Sequence, residues 1–261
     1  MSHFQHSTLQ KINRNAKVAK PIMEYENEIN RYYGFQNDPL VQKLSKVDIS
    51  SLEPTLQLKI GILAAMSDNE EHNRISHRVL SELSDKYENT SPYRILKWIG
   101  QFKNGNETIR EQIADWSIQH PDNLAFSRIS LWTKEHSDDT IKMIGNYVQH
   151  LEVFWNDDIA WFKVGKLYYE EKEYERASFS FDEAIIINND VPDYYVAAAR
   201  SRISYEQEPN QKQKTEEIAK KLLSKAILLD ENNREALTLL IKISTDNKEK
   251  YQRYLDTINR K

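Results

Sequence analysis

Between Asp158 and Asn189 the apolar positions recur at helical spacing in two blocks joined by a charged turn. The first block, DIAWFKVGKLYYE, sets Trp161, Val164, Gly165 and Tyr168 in the pattern W-x-x-V-G-x-x-Y. The second, YERASFSFDEAIII, sets Ala177, Phe181 and Ala184 along one face. Each block predicts a helix, and the short turn predicts that the two run antiparallel. Helices approach closely only where one of them presents Gly or Ala. Gly165 and Ala177 are therefore the points at which Tyr168 and Phe181 can press in.

Stepping by 34 residues extends the pattern along the chain. From Phe181 the steps back reach Tyr147, Ile113 and Val79, all apolar; from Trp161 they reach Ser127, Tyr93 and Lys59, with Tyr195 forward. Proline and aspartate pairs at Ser91–Pro92, Pro121–Asp122, Asp157–Asp158 and Pro192–Asp193 punctuate the same intervals as breakers or N-caps. This set of positions resembles the tetratricopeptide (TPR) repeat. It predicts an all-α, TPR-type α-solenoid, a right-handed superhelix of antiparallel helix pairs, with about five repeats over residues 55–246. The polar, proline-containing stretch at 206–215 predicts an exposed loop inserted between helices. Residues 247–261 predict a polar C-terminal cap. Residues 1–54 form an N-terminal extension: 1–20 read as disordered, and Ile22, Tyr25, Ile29 and Tyr32 or Tyr33 mark a short amphipathic helix over 22–33.

Composition narrows the function. Hydrophobic residues are 39% and charged residues 29%, a balance that suits helices with wet faces. The net charge of −4 gives no general attraction to nucleic acid or anionic lipid. Cysteine is absent, which excludes disulfides and thiolate chemistry. The apolar run Ile60–Met66 falls far short of the roughly 20 residues a membrane span needs, and the basic N-terminal stretch lacks the apolar core of a signal peptide. The sequons at Asn89 and Asn106 read as chance occurrences.

A catalytic or metal site finds no support. The seven histidines show no ligand spacing, and His72 and His77 sit on different helix faces. No phosphate-binding glycine loop occurs. Asp138–Asp139 and Asp157–Asp158 stand at helix starts, where carboxylates cap and complement the dipole. The chain is expected to be no enzyme and to bind no cofactor or metal. The concave face of the first helices is more informative. One residue past the Trp161 position stand Arg94, Arg128, Phe162 and Val196; four further on stand Trp98, Trp132, Lys166 and Arg200. Arg94, Trp98, Arg128, Trp132, Phe162, Lys166 and Arg200 are the expected partner-binding groove, with Trp98 and Trp132 as neighbours along it; burial of both tryptophans between helix pairs is the alternative. Some TPR domains clamp a chaperone's C-terminal carboxylate with Lys and Asn from these two rows; the pairs here are Arg94–Trp98, Arg128–Trp132 and Phe162–Lys166, and the asparagine is missing from each.

From Pro121 to Ile241 the chain also resembles subunit 2 of the endoplasmic reticulum membrane protein complex. The resemblance rests on PDN at 121–123, IGNYVQHLEVFWNDDIAW at 144–161, KLYYEEKEYERASFSFDEAI at 166–185 and KAILLDENNREALTLL at 225–240. It departs at Asn189, where proline is usual, and at Ser180, where cysteine is frequent. The resemblance implies a non-catalytic scaffold on the cytosolic face of the endoplasmic reticulum membrane. Its partners would be cytosolic parts of membrane subunits and a further soluble subunit, in a complex that inserts tail-anchored and multipass proteins. The alternative is a free cytosolic TPR adaptor that binds a peptide segment of a soluble partner or chaperone.

Overall fold

The computed structural model describes Tyr25 and residues 27–135, 139–205, 209–244 and 247–259. The chain forms two compact units, residues 1–136 and 137–261. Both are helical, with short turns and no strand among the described residues.

In the first unit a helical stretch at 27–32 is followed by α1 (Asp38–Leu44), a 3-10 turn (Ile49–Ser51), α2 (Pro54–Ala65), α3 (Glu70–Tyr87), α4 (Ser91–Lys103), α5 (Thr108–Gln119) and α6 (Leu124–Glu135). Prolines open α1, α2 and α4 within their first two positions, where the missing N–H has no intrahelical partner to lose. Helix α2 is apolar nearly all round because α1, α3 and α4 enclose it. The described part of the N-terminal extension packs on: Ile29, Leu40, Val41, Leu44 and Ile49 are buried in the same core as α2, with Tyr25, Tyr32 and Tyr33 against it. Ile22 and residues 1–20 lie outside the described residues. Gly34 makes this packing possible. Its φ is +90°, and a Cβ there would stand 2.9 Å from Arg128 Cβ of α6.

The second unit contains α7 (Thr140–Val153), α8 (Asp158–Glu170), α9 (Tyr174–Ile187), α10 (Pro192–Ser204), α11 (Pro209–Leu229), α12 (Arg234–Ile243) and α13 (Lys248–Asn259). Each helix packs on the next, and α10 also touches α8 and α12, so the first helices of successive pairs share one side. Side-chain caps set the starts. Asp139, Asp157 and Asn233 accept from Lys142 N, Ala160 N and Ala236 N at 2.8, 3.2 and 2.9 Å. The other oxygen of Asp157 accepts from His150 Nε2 at 2.9 Å, in a fully buried pair that ties α7 to the start of α8.

The hairpin α8–α9 follows the expected geometry. A Cβ on Gly165 would lie 2.6 Å from Phe181 Cε1, so the two helices meet where no side chain fits. The turn closes as a Schellman motif: Glu173 N donates to Tyr168 O and Lys172 N to Tyr169 O, with Lys172 left-handed at φ 63°. Tyr147, Ile113 and Val79, in register with Phe181, are likewise buried.

Two expectations change. In the first unit the close approach occurs at Gly61, where a Cβ would stand 2.9 Å from Leu96 Cδ2 and 3.2 Å from Val79 Cγ1. That is two residues before Leu63, the position in step with Gly165, so the register slips as the repeat degenerates. The insertion at 206–215 is mostly helix, since α11 starts at Pro209. Proline there opens a helix rather than breaking one, and the polar residues after it form exposed early turns at 212–214. Residues 206–208 lie outside the described residues.

Gly165→Ala is expected to destabilise the chain by about 1–3 kcal/mol, because the added methyl must displace a packed ring rather than a flexible chain end. Denaturant unfolding measures this; an unchanged midpoint would mean that Phe181 can swing away freely.

Alkaline stability supplies a second expectation. Burial pushes the Tyr33 phenol up to about 12, against 10.0 for an exposed tyrosine. Between these values unfolding releases a proton that the folded state keeps, so stability falls as pH rises through that window. Desolvation lowers Lys103, and its effect has the opposite sign, but it is common to wild type and Tyr33→Phe. Unfolding curves at about pH 9 and about pH 11 should show wild type losing stability relative to Tyr33→Phe. A difference independent of pH would show the phenol to be solvated.

Candidate functional site

The seven groove residues fall into three environments. Phe162, Lys166 and Arg200 come together in the second unit, where α8, α10 and the start of α12 line a cavity of about 400 Å³. Its apolar wall is Phe162, Tyr169, Val196 and Ala197. Phe162 is held by rings on two sides, with centroids 5.5 Å from Phe181 and 4.8 Å from Tyr194. Tyr194 is fixed in turn by donating to the buried Asp158 Oδ2 at 2.9 Å. Lys166 Nζ lies 5.2 Å from the Phe162 ring centre, and the Arg200 guanidinium 5.9 Å from that of Tyr169.

Charge in this cavity is mixed. Arg200 forms an ion pair with Glu235 from the first turn of α12, and Glu170 and Asp193 also line the wall. Two cations therefore face three carboxylates. The carboxylates escaped the sequence reading because they lie outside the two residue rows that the repeat predicts. Glu235 was accessible in principle, since it stands one residue past a 34-residue step from Arg200. An aromatic wall with charges of both signs can hold a short peptide by burying one side chain and pairing its neighbours.

Arg94 and Trp98 line a different opening, of about 460 Å³, in the first unit between α4 and α5. The Arg94 guanidinium lies 4.5 Å from the Trp116 ring centre and 6.0 Å from that of Trp98, and the two indoles meet edge to face at 5.7 Å.

Arg128 and Trp132 line no groove. Arg128 is 4% exposed and donates from Nη1 to the backbone oxygens of Arg31 and Tyr33 at 2.7 and 3.0 Å. Its guanidinium also lies 4.8 Å from the Phe35 ring centre. Trp132 is 2% exposed and meets Phe102 edge to face at 5.5 Å. Residues 31–35 lie against α6 at Arg128 and cover that position of the face expected to be open. Trp98 and Trp132 consequently do not run together along one groove: Trp98 is half-buried against Trp116, while Trp132 belongs to the core.

The repeat signature behaves as packing. Gly165, Ala177, Phe181 and Ala184 are buried, and Tyr168 is half-buried against them. Trp161 is half-buried; it donates from Nε1 to Trp155 O at 2.8 Å and lies edge to face on Phe179 at 6.0 Å. Asp157 and Asp158 serve as a cap and a hydrogen-bond acceptor. His72 is buried, with Nδ1 2.8 Å from Ser67 Oγ and Nε2 3.1 Å from Gln42 Oε1.

Comparison with known structures agrees with this architecture. A crystal structure of MamA aligns over 62% of this chain and 92% of its own, with a TM-score of 0.50 at 11% identity. A second, of MamA AMB-1, aligns over 72% and 97% with a TM-score of 0.44 at 18% identity. Comparison with family models and with curated proteins gives no match. The chain has an all-α, TPR-type solenoid fold.

The different surroundings of the two tryptophans predict different costs. Trp132→Ala should lower stability by about 3–5 kcal/mol by emptying a buried site, and Trp98→Ala by clearly less. Equal losses in chemical denaturation would place Trp98 in the core as well.

Proposed function

We propose that the chain is a non-catalytic scaffold subunit of a membrane-associated complex, and specifically that it acts as subunit 2 of the endoplasmic reticulum membrane protein complex does. The observation that carries this reading is apolar surface left uncovered on the second unit. Trp155 is 69%, Phe179 58% and Ile186 74% exposed, and Trp161 links the first two through its hydrogen bond and ring contact. Large exposed aromatics of this kind mark contact surfaces. They suit a permanent partner, because an obligate subunit covers such area for as long as it is folded. The sequence blocks that resemble the family at 144–161 and 166–185 contain Trp155, Trp161 and Phe179. No helix among the described residues is long and apolar enough to cross a membrane, so attachment would run through membrane-spanning partners on the cytosolic face.

A second reading has its own observation. The cavity around Phe162, Lys166 and Arg200 is enclosed enough to take a peptide side chain and carries charges of both signs. A free adaptor that binds a soluble partner's peptide would use it, with affinity in the micromolar range that small contacts give.

Affinity purification of the tagged chain from detergent-solubilised membranes separates the two readings. The scaffold reading expects a stoichiometric set of multispanning endoplasmic reticulum proteins. It also expects Trp155→Ser with Phe179→Ser to reduce that set severalfold with little change in melting temperature, since both side chains are exposed. Recovery from the soluble fraction with a peptide-bearing partner, or full retention of the set by the double variant, would count against it.

A further inference from the structure

We infer that the opening between α4 and α5 of the first unit binds an extended protein segment through an internal Asp or Glu side chain, seated on the Arg94 guanidinium. The inference rests on the reading of the chain as a protein-binding scaffold and adds a second, chemically distinct docking site to it.

The argument begins with Arg94. Its guanidinium lies over Trp116 and beside Trp98, a placement that fixes the plane of the fork. Among the described residues no carboxylate lies within ion-pair distance of it. The nearby acid is engaged elsewhere, since Glu88 pairs with Lys97 at 3.6 Å. The opening therefore carries one uncompensated cation, whose donors match the two oxygens of a carboxylate.

Besides Ile109 and the Glu88–Lys97 pair, the rest of the lining is amide. Asn89, Gln101, Asn106 and Gln112 surround the aromatic platform. Asn106 Oδ1 accepts from Thr108 Oγ1 at 2.7 Å, whereas the side-chain amides of Asn89, Gln101 and Gln112 make no hydrogen bond among the described residues. An amide supplies donor and acceptor together, which is what the alternating N–H and C=O groups of an extended backbone require. A chain terminus would occupy only part of this set, so a continuous segment is the occupant the lining fits. The cavity of the second unit has the opposite balance, with three carboxylates to two cations, and would not select the same segment.

The test uses the full chain and an immobilised array of nonapeptides blocked at both ends. The central residue is Asp, Glu, Asn, Gln, Lys or Arg and the flanks vary; a parallel set has free C-termini. Binding by the blocked acidic peptides, and not by their Asn and Gln counterparts, is the expected result. Fluorescence anisotropy on the best peptide should then show weakening of roughly tenfold to hundredfold for Arg94→Gln and a smaller loss for Gln112→Ala. Arg200→Ala should leave it unchanged. Arg94→Lys, which keeps the charge without the fork, serves if Arg94→Gln disturbs folding, and should also weaken binding. Three results overturn the inference: no preference for acidic centres, binding only through a free C-terminus, or equal affinity in wild type and the Arg94 variants. Because co-purification from membranes can succeed with Arg94→Gln, failure here is distinguishable from failure of the scaffold reading.

Discussion

Helices α8 and α9 meet at Gly165, which leaves no room even for a methyl group. The position of Phe181 follows from that contact, because its ring fills the space that a side chain at 165 would occupy. Phe181 in turn supports Phe162, whose other neighbour, Tyr194, is anchored to Asp158. The wall of the cavity is thus built outward from a single glycine, since Phe181 both fills the space over Gly165 and lines the cavity with Phe162. A scaffold surface made of half-buried rings is only as well placed as the helix crossing behind it.

The first unit meets the same constraint differently. Its close approach lies at Gly61, and the face that the repeat would leave open is covered at Arg128 by the chain's own residues 31–35. Arg128 shows why the cover is specific. A buried guanidinium is tolerable only with hydrogen-bond partners, and two backbone oxygens of the extension supply them, with Phe35 against its face. Gly34 lets the backbone turn and approach α6 closely enough for this to happen. Residues 27–52 of the extension are therefore part of the folded unit.

The sequence disclosed the parts that repeat and concealed the parts that occur once. Helix positions, the N-caps at Asp139 and Asp157, and the close pair Gly165–Phe181 follow from spacing and residue type, because each rests on local or hairpin geometry. Arg128 and Trp132 were misplaced for the opposite reason. They occupy groove positions in the repeat, but Arg128 is covered by residues nearly a hundred positions away and Trp132 packs on Phe102 of another helix, links that no periodicity marks. The Pro209 stretch failed on a subtler point, since proline marks both a loop and the first turn of a helix, and the residues after it are polar in either case. The contact of Arg94 with Trp116 was invisible because Trp116 lies on the second helix of the pair, outside the rows read for binding.

The two units present surfaces that differ in kind. In the first, an arginine without a carboxylate and a ring of amides favour a polar segment held by hydrogen bonds. In the second, uncovered Trp155, Phe179 and Ile186 favour contact through area, which gains from water exclusion and loses little when one polar atom moves. Hydrogen-bonded recognition selects a sequence, whereas apolar contact holds a surface whose shape matches. A chain offering both can keep one partner permanently and sample another. Under the proposed scaffold reading the exposed Trp155 and Phe179 would be covered by the permanent partner, which would remove them as an aggregation hazard.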